Sequence, residues 1–200
     1  MTGISISDKD RWNARYAERG VAASNQLPST WLTAHESLLR DLHGGYALDI
    51  ACGNGRNAVY LATLGFQVDA FDISEVAIDW VKEQTAQHQL SIKPEVVDLE
   101  TASLRPDRYN VIINFKFLLR SLFPQIKAAL RTGGLLFFET MCGCDANAGS
   151  QPMNPAYVLD HNELLHAFLD LRILAYQESK AACEPGHQAH EMASLIARKA

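Results

Sequence analysis

The sequence predicts an α/β protein built on a largely parallel sheet with helices on both faces. Three observations carry this. Short apolar runs alternate with helical stretches from Tyr46 to Phe138, the pattern of strands buried on both sides. The first run ends in a glycine turn, Leu48-Asp49-Ile50-Ala51-Cys52-Gly53-Asn54-Gly55-Arg56-Asn57, that opens a helix. The last two runs are separated by Glu184-Pro185-Gly186, and a turn joins antiparallel strands whereas parallel ones need a crossover.

The elements follow in order. Asp8 to Arg19 reads as a polar helix with Trp12 and Tyr16 at i, i+4 spacing, so both rings share one face; Gly20 ends it. Ser29 or Thr30 caps a second helix running to about Leu42, with Leu32, Leu38, Leu39 and Leu42 as its apolar side. Gly44-Gly45 stops it. Strand one is Tyr46 to Ala51, and a helix from Gly55 to Leu64 closes at Gly65. Strand two, Gln67 to Phe71, leads into Asp72, and Ser74 caps a helix from Glu75 to Gln87. Strand three, Ile92 to Val97, leads into Asp98. Strand four is Tyr109 to Asn114. Pro124 cannot sit inside a helix without losing a hydrogen bond, so a helix starts there and runs to Leu130. Gly133-Gly134 is a turn before strand five, Leu135 to Phe138. A Gly/Asn/Pro/Ser loop fills Cys142 to Pro155, long enough to be a substrate lid or disordered. A helix from Asp160 to Leu169 precedes two final strands, Leu171 to Glu178 and Glu191 to Arg198. The crossovers should be right-handed.

Bulk properties limit the function. The chain has 200 residues, which suits one domain: helices over 1–45, then a core over 46–200. Net charge is -5 with no Lys/Arg cluster, which argues against a nucleic-acid or anionic-membrane partner. The start, Met1 to Asp8, lacks the basic and apolar regions of a secretory signal. No apolar run reaches the roughly 20 residues that span a bilayer. A cytoplasmic location and a monomer or homodimer are expected. Cys142, Cys144 and Cys183 with His187 and His190 fit no zinc spacing, so no metal is expected.

The glycine turn marks the functional site. Gly53 and Gly55 can adopt backbone angles closed to other residues and let a ligand press on the main chain. The helix after them points free N–H groups and its positive end at that ligand. In an open parallel sheet, ligands bind at the carboxyl ends of the strands. Asp49, Asp72, Asp98 and Asn114 stand at that edge. Asp72 lies 19 residues after Gly53, the spacing at which an acid meets ribose hydroxyls. Two readings compete. Gly53-Asn54-Gly55-Arg56-Asn57-Ala58 satisfies the loose dinucleotide pattern, which would make the chain a nicotinamide-dependent oxidoreductase. Asp49 argues against it, because a carboxylate there repels a pyrophosphate and welcomes an amino group.

At these residues the chain resembles the class I S-adenosylmethionine-dependent methyltransferases. Asp49-Ile50-Ala51-Cys52-Gly53-Asn54-Gly55 is similar to that family's first motif, with Ala51 in place of its first glycine. Phe71-Asp72-Ile73-Ser74 resembles the second motif, Val97-Asp98-Leu99 the adenine-contact motif, and Thr132-Gly133-Gly134 the approach to strand five. Trp12-Asn13-Ala14-Arg15-Tyr16 and Cys52 to Asn57 are similar to the small tellurite-resistance-type branch.

The resemblance implies a Rossmann-like, doubly wound seven-stranded sheet of order 3-2-1-4-5-7-6 with strand seven antiparallel. It implies S-adenosyl-L-methionine as cofactor, contacted by Trp12, Tyr16, Asp49, Ala51, Cys52, Gly53, Arg56, Asn57, Asp72, Ile73, Asp98, Leu99 and Asn114. Trp12 and Tyr16 would belong to an N-terminal lid. Phe115 and Arg120, after strand four, would face a small-molecule substrate, with Arg120 suited to an anion. The base-methylating Asn/Asp-Pro-Pro-Tyr motif is absent after strand four, where the chain has Asn114-Phe115-Lys116-Phe117. No histidine is marked as a base, which favours an acceptor that needs none, such as a thiolate or a chalcogen oxyanion. A pocket that kept the cofactor and lost the chemistry is the alternative.

Overall fold

The computed structural model describes residues 7–20, 26–143, 154–180 and 191–200. Seven strands form one sheet in the order β3-β2-β1-β4-β5-β7-β6, as the resemblance implies. The chain divides into two compact units between Ala102 and Ser103.

The first unit holds helices α1 (Asp8–Arg19), α2 (Thr30–Ala34), α3 (Glu36–Arg40), α4 (Arg56–Thr63) and α5 (Glu75–His88). Its strands β1 (Gly45–Ile50), β2 (Phe66–Asp72) and β3 (Ile92–Val96) pair in parallel, β1 on β2 and β2 on β3. The last four residues of β1 are all buried, because a parallel sheet covered on both faces has no wet side. β3 is a sheet edge, which is why Pro94 is tolerated within it. Leu48, Ile50, Leu61, Ala70, Ile78 and Val81 are completely buried and form the core that fixes the turn after β1.

The second helix of the sequence reading is two. Its break is at His35, whose ring Nδ1 lies 2.9 Å from the Trp31 carbonyl oxygen. A continuous helix would offer that carbonyl to the His35 main-chain N–H, which bonds Leu32 instead.

The second unit holds β4 (Tyr109–Phe115), α6 (Phe123–Ala129), β5 (Leu130–Cys142), α7 (Glu163–Ala167), β6 (Arg172–Lys180) and β7 (Glu191–Arg198). β4 and β5 are parallel; β7 runs antiparallel to both β5 and β6. β5 is longer than expected. Gly133 and Gly134 form no separate turn but an irregular stretch inside the strand, held by main-chain bonds of 2.8 and 3.0 Å to Lys199. The helix expected over 160–169 contracts to α7, since Asn162 enters at a φ of +61°. Phe123, Phe138 and Phe168 cluster with ring centroids 5.2 to 5.9 Å apart and seat α6 and α7 on β5. The expected turn at Glu184-Pro185-Gly186, most of the Cys142 to Pro155 loop, and Cys144, Cys183, His187 and His190 lie outside the described residues.

Candidate functional site

β1 delivers Asp49 to the turn. The side chain is 2 % exposed. Its Oδ2 has no hydrogen-bond partner among the described residues. Burial pushes this carboxyl up to about 8, and the charge of Asp72 adds to the shift; the Ala58 N–H and Arg56 oppose it. A buried carboxylate oxygen with no donor is costly unless something arrives to pair with it.

The turn then climbs through three left-handed residues, Ala51, Gly53 and Gly55, at φ of +52°, +55° and +76°. The Cys52 N–H bonds the Phe71 carbonyl on β2 at 2.9 Å, and the Gly53 N–H donates to Asp72 Oδ2 at 2.8 Å. The glycines are required by the protein's own atoms as well as by any ligand. A Cβ on Gly55 would stand 2.7 Å from Val81 Cγ2 on α5, and one on Gly53 would stand 2.8 Å from the Tyr16 hydroxyl. Ala51 is the unexpected member: it stands in place of the motif's first glycine, yet its backbone is left-handed. Cys52 is buried, and its thiol is pushed far up by desolvation and by Asp49 and Asp72, so it is inert.

Asp72 closes β2. Its Oδ1 accepts the Ser74 N–H at 2.9 Å and its Oδ2 the Gly53 N–H. Burial raises its pKa while these backbone donors restrain it. Each oxygen keeps a second lone pair, so the carboxylate that shapes the turn can still accept from a ligand. Ile73 beside it is half-buried. The Val97 N–H bonds the Asp72 carbonyl at 2.8 Å and brings the next segment alongside. There Asp98 is exposed and closes its own turn by accepting the Glu100 N–H, while Leu99 is buried.

α1 is clasped to α5. Asn13 Oδ1 accepts the Ser74 hydroxyl at 2.7 Å and the Val76 N–H at 3.4 Å. Lys9 pairs with Glu75 at 2.7 Å. The Trp12 and Tyr16 rings lie tilted against each other with centroids 5.9 Å apart, and Tyr16 meets Trp80 edge-on at 5.7 Å. The clasp sets the Tyr16 hydroxyl over Gly53. The sequence points to Trp12 and Tyr16 as contacts; it carries Asn13 only as a member of the Trp12 to Tyr16 motif and does not single out Trp80.

Several of the expected contact residues make hydrogen bonds within the protein. Arg56 Nη1 donates to the Leu27 carbonyl at 2.8 Å, and Asn57 Oδ1 accepts the Ser29 N–H at 2.8 Å. Both tether the segment ahead of α2. Arg120 was expected to offer its charge to an anionic substrate. Its guanidinium instead forks onto both oxygens of Glu163 and also donates to the Val158 carbonyl at 2.9 Å. At the end of β4, Asn114 is buried and donates from Nδ2 to the Phe117 carbonyl at 2.8 Å; Phe115 is also buried. No helix among the described residues is long and apolar enough to cross a membrane.

Comparison with known proteins agrees with this geometry. The family described as "Tellurite resistance protein TehB" matches residues 32–191. The chain is 29% identical over 165 residues to a protein of Haemophilus influenzae named "Probable S-adenosyl-L-methionine-dependent methyltransferase TehB", covering 76% of this chain and 56% of that one. It thus spans little more than half the length of that relative. It is 35% identical over 105 residues to the "Ubiquinone biosynthesis O-methyltransferase" of Coxiella burnetii, covering 50% of this chain and 45% of that one. Among solved structures, TehB from Haemophilus influenzae superposes with a TM-score of 0.73 at 21% identity, covering 96% of this chain and 67% of that chain. A geranyl diphosphate methyltransferase in complex with SAM gives 0.67 at 15% identity, covering 84% of this chain and 85% of that chain. The structural likenesses establish the fold. The match over residues 32–191 establishes the family: this chain belongs to the tellurite resistance protein TehB family.

Proposed function

We propose that this chain is an S-adenosyl-L-methionine-dependent methyltransferase acting on a small molecule. The observation that carries the reading is Asp49 Oδ2, a buried carboxylate oxygen with no partner among the described residues, at the foot of the glycine turn. The α-ammonium group of the cofactor would supply the missing donor. A diphosphate would meet Asp49 and Asp72 instead of a cation, which disfavours a nicotinamide nucleotide.

Bound S-adenosylmethionine supplies a methyl group on a cationic sulfur, open to in-line attack by an acceptor. This chain's residues bind and align. Asp49 holds the ammonium group and the Gly53 to Gly55 turn gives the main chain close approach. The spare lone pairs of Asp72 accept from the ribose hydroxyls. Ile73 and Leu99 flank the adenine, and Asp98 accepts from its amino group. Tyr16, carried by the α1 clasp, covers the turn and excludes water. Alignment of the reactants is worth roughly 7–11 kcal/mol when it is good.

The acceptor we infer is a soft anion such as a thiolate or chalcogen oxyanion. Its support is that both buried carboxylates beside the turn are taken up by the cofactor roles, and an acceptor already ionised needs no further base. The test is calorimetric binding of S-adenosylmethionine, followed by S-adenosylhomocysteine release across thiols, selenite, tellurite and alcohols. Turnover on soft anions alone is expected. Failure to bind the cofactor would sink the whole reading. Binding without turnover would make the chain a silent binding module, and turnover on alcohols would overturn the choice of acceptor.

A further inference from the structure

We propose that the adjoining ends of β5, β6 and β7 form a binding site for a divalent transition-metal ion such as Zn2+ or Co2+, held by Cys142, His161 and Glu178. One donor atom from each of the three lies within 4.8 Å of the others. This site shares no residue with the proposed cofactor site. It runs against the sequence reading, which weighed Cys142 with Cys144, Cys183, His187 and His190 and expected no metal.

Sheet register assembles it. Cys142 ends β5 opposite Glu191, the first residue of β7. Glu178 on β6 stands opposite Ala193, two residues further along β7. Residues opposite one another, and residues two apart on one strand, share a face. Cys142, Glu178 and Glu191 therefore project together. The fourth group comes from a different segment. The Gly143 N–H donates to the Leu159 carbonyl and the Leu159 N–H to the Met141 carbonyl, both at 2.9 Å. This stitches the stretch before α7 against the end of β5 and brings in His161.

The ligand groups are oriented from behind. Glu178 Oε1 accepts the Asn162 N–H at 2.6 Å and the Tyr176 hydroxyl. Its Oε2 lies 2.8 Å from His161 Nδ1, and His161 Nε2 lies 3.9 Å from Glu191 Oε2. Such outer hydrogen bonds fix the ring and carboxylate of a metal site. Gly143, at a φ of +64°, leaves the necessary room. A Cβ there would stand 2.7 Å from His161 Cε1 and 2.9 Å from Glu191 Oε2.

The chemistry selects the ion. A sulfur, a ring nitrogen and carboxylate oxygens suit zinc-like ions; magnesium and calcium take oxygen alone. Two carboxylates facing a buried thiol make the site negative and favour a cation. Ligation forms the metal–sulfur bond as the thiol proton leaves to solvent.

The probe is Co2+ added to the full chain with its thiols kept reduced by a phosphine. One equivalent should produce a thiolate-to-cobalt charge-transfer band in the near ultraviolet. Cys142→Ser should abolish it, and His161→Ala, at a partly exposed position that folding tolerates, should weaken cobalt affinity on the order of 10–100-fold. Zn2+ should raise the Tm of the wild type and leave that of Cys142→Ser unchanged. No band in the wild type would overturn the site and leave a plain His161–Glu178 ion pair. A band of the same strength in Cys142→Ser would also overturn it, placing the ion on other cysteines, as would an unchanged cobalt affinity in His161→Ala. None of these readouts depends on methyl transfer, so the failure of either proposal leaves the other standing.

Discussion

Ala51 and Asp49 show how single residues are held in unfavourable states beside the glycine turn. Ala51 sits at a φ of +52°, where an L side chain crowds its own carbonyl. Replacing it with glycine removes that crowding but gives the unfolded chain more freedom. The two oppose each other, and the steric term is the larger. Ala51→Gly should stabilise the protein by about 1 kcal/mol in chemical denaturation. Asp49 is held mainly protonated up to about pH 8, whereas in the unfolded chain it ionises near the ordinary carboxyl value of 3.8. Between those values the folded state carries a proton that the unfolded state lacks. The contribution of Asp49 to stability therefore falls as pH rises through that window, by up to about 1.4 kcal/mol per pH unit, and levels off above it. Asp49→Asn should remove this slope and raise the Tm of the ligand-free protein at pH 8. The same variant should lose affinity for S-adenosylmethionine, because an amide cannot pair with an ammonium group as a charge. For the wild type, that affinity should weaken as pH drops below 8, with a proton released on binding that calorimetry in buffers of different ionisation enthalpy detects.

At the scale of elements, the important joint is between α1 and α5. α1 is a polar helix with few buried side chains, so its position rests on a small number of directed contacts. Asn13 supplies two of them, at the cap of α5. Asn13→Ala should cost about 1–2 kcal/mol, because the fully buried Ser74 hydroxyl loses its acceptor. If α1 covers the turn as proposed, cofactor affinity should fall as well, and an unchanged Kd in that variant would remove the cover from the mechanism. Elements were legible in proportion to how local their causes are. Ser7 and Gly20 bound α1 as caps do, and the residues concerned lie within the helix ends. The division of α2 from α3 was not legible, because it depends on the His35 ring reaching a main-chain carbonyl one turn back. The commitment of Arg120 to Glu163 was hidden for another reason. Their partnership spans 43 residues of chain, and an arginine in isolation gives no sign of its partner.

For the whole molecule, a ligand that binds the native state alone stabilises it by mass action. S-adenosylhomocysteine at 100 times its Kd should add about 2.7 kcal/mol to unfolding, read as a higher Tm, and Asp49→Asn should lose most of that gain at the same concentration. The strand order and the antiparallel β7 agree with what the motif resemblance implied. The sequence by itself determined the alternation of strands and helices, the glycine turn and the acids at the strand ends. Those features depend on hydrophobic periodicity, turn-forming residues and spacing along the chain, all of which are local. Only the tertiary structure decided which polar groups meet. It turned Arg56 and Asn57 into tethers, left Asp49 Oδ2 without a donor, placed Tyr16 over Gly53, and gathered Cys142, His161 and Glu178. The physical reason is that a hydrogen bond or a ligand set needs atoms within a few ångströms. Register and packing bring such atoms together from positions that spacing along the chain does not connect.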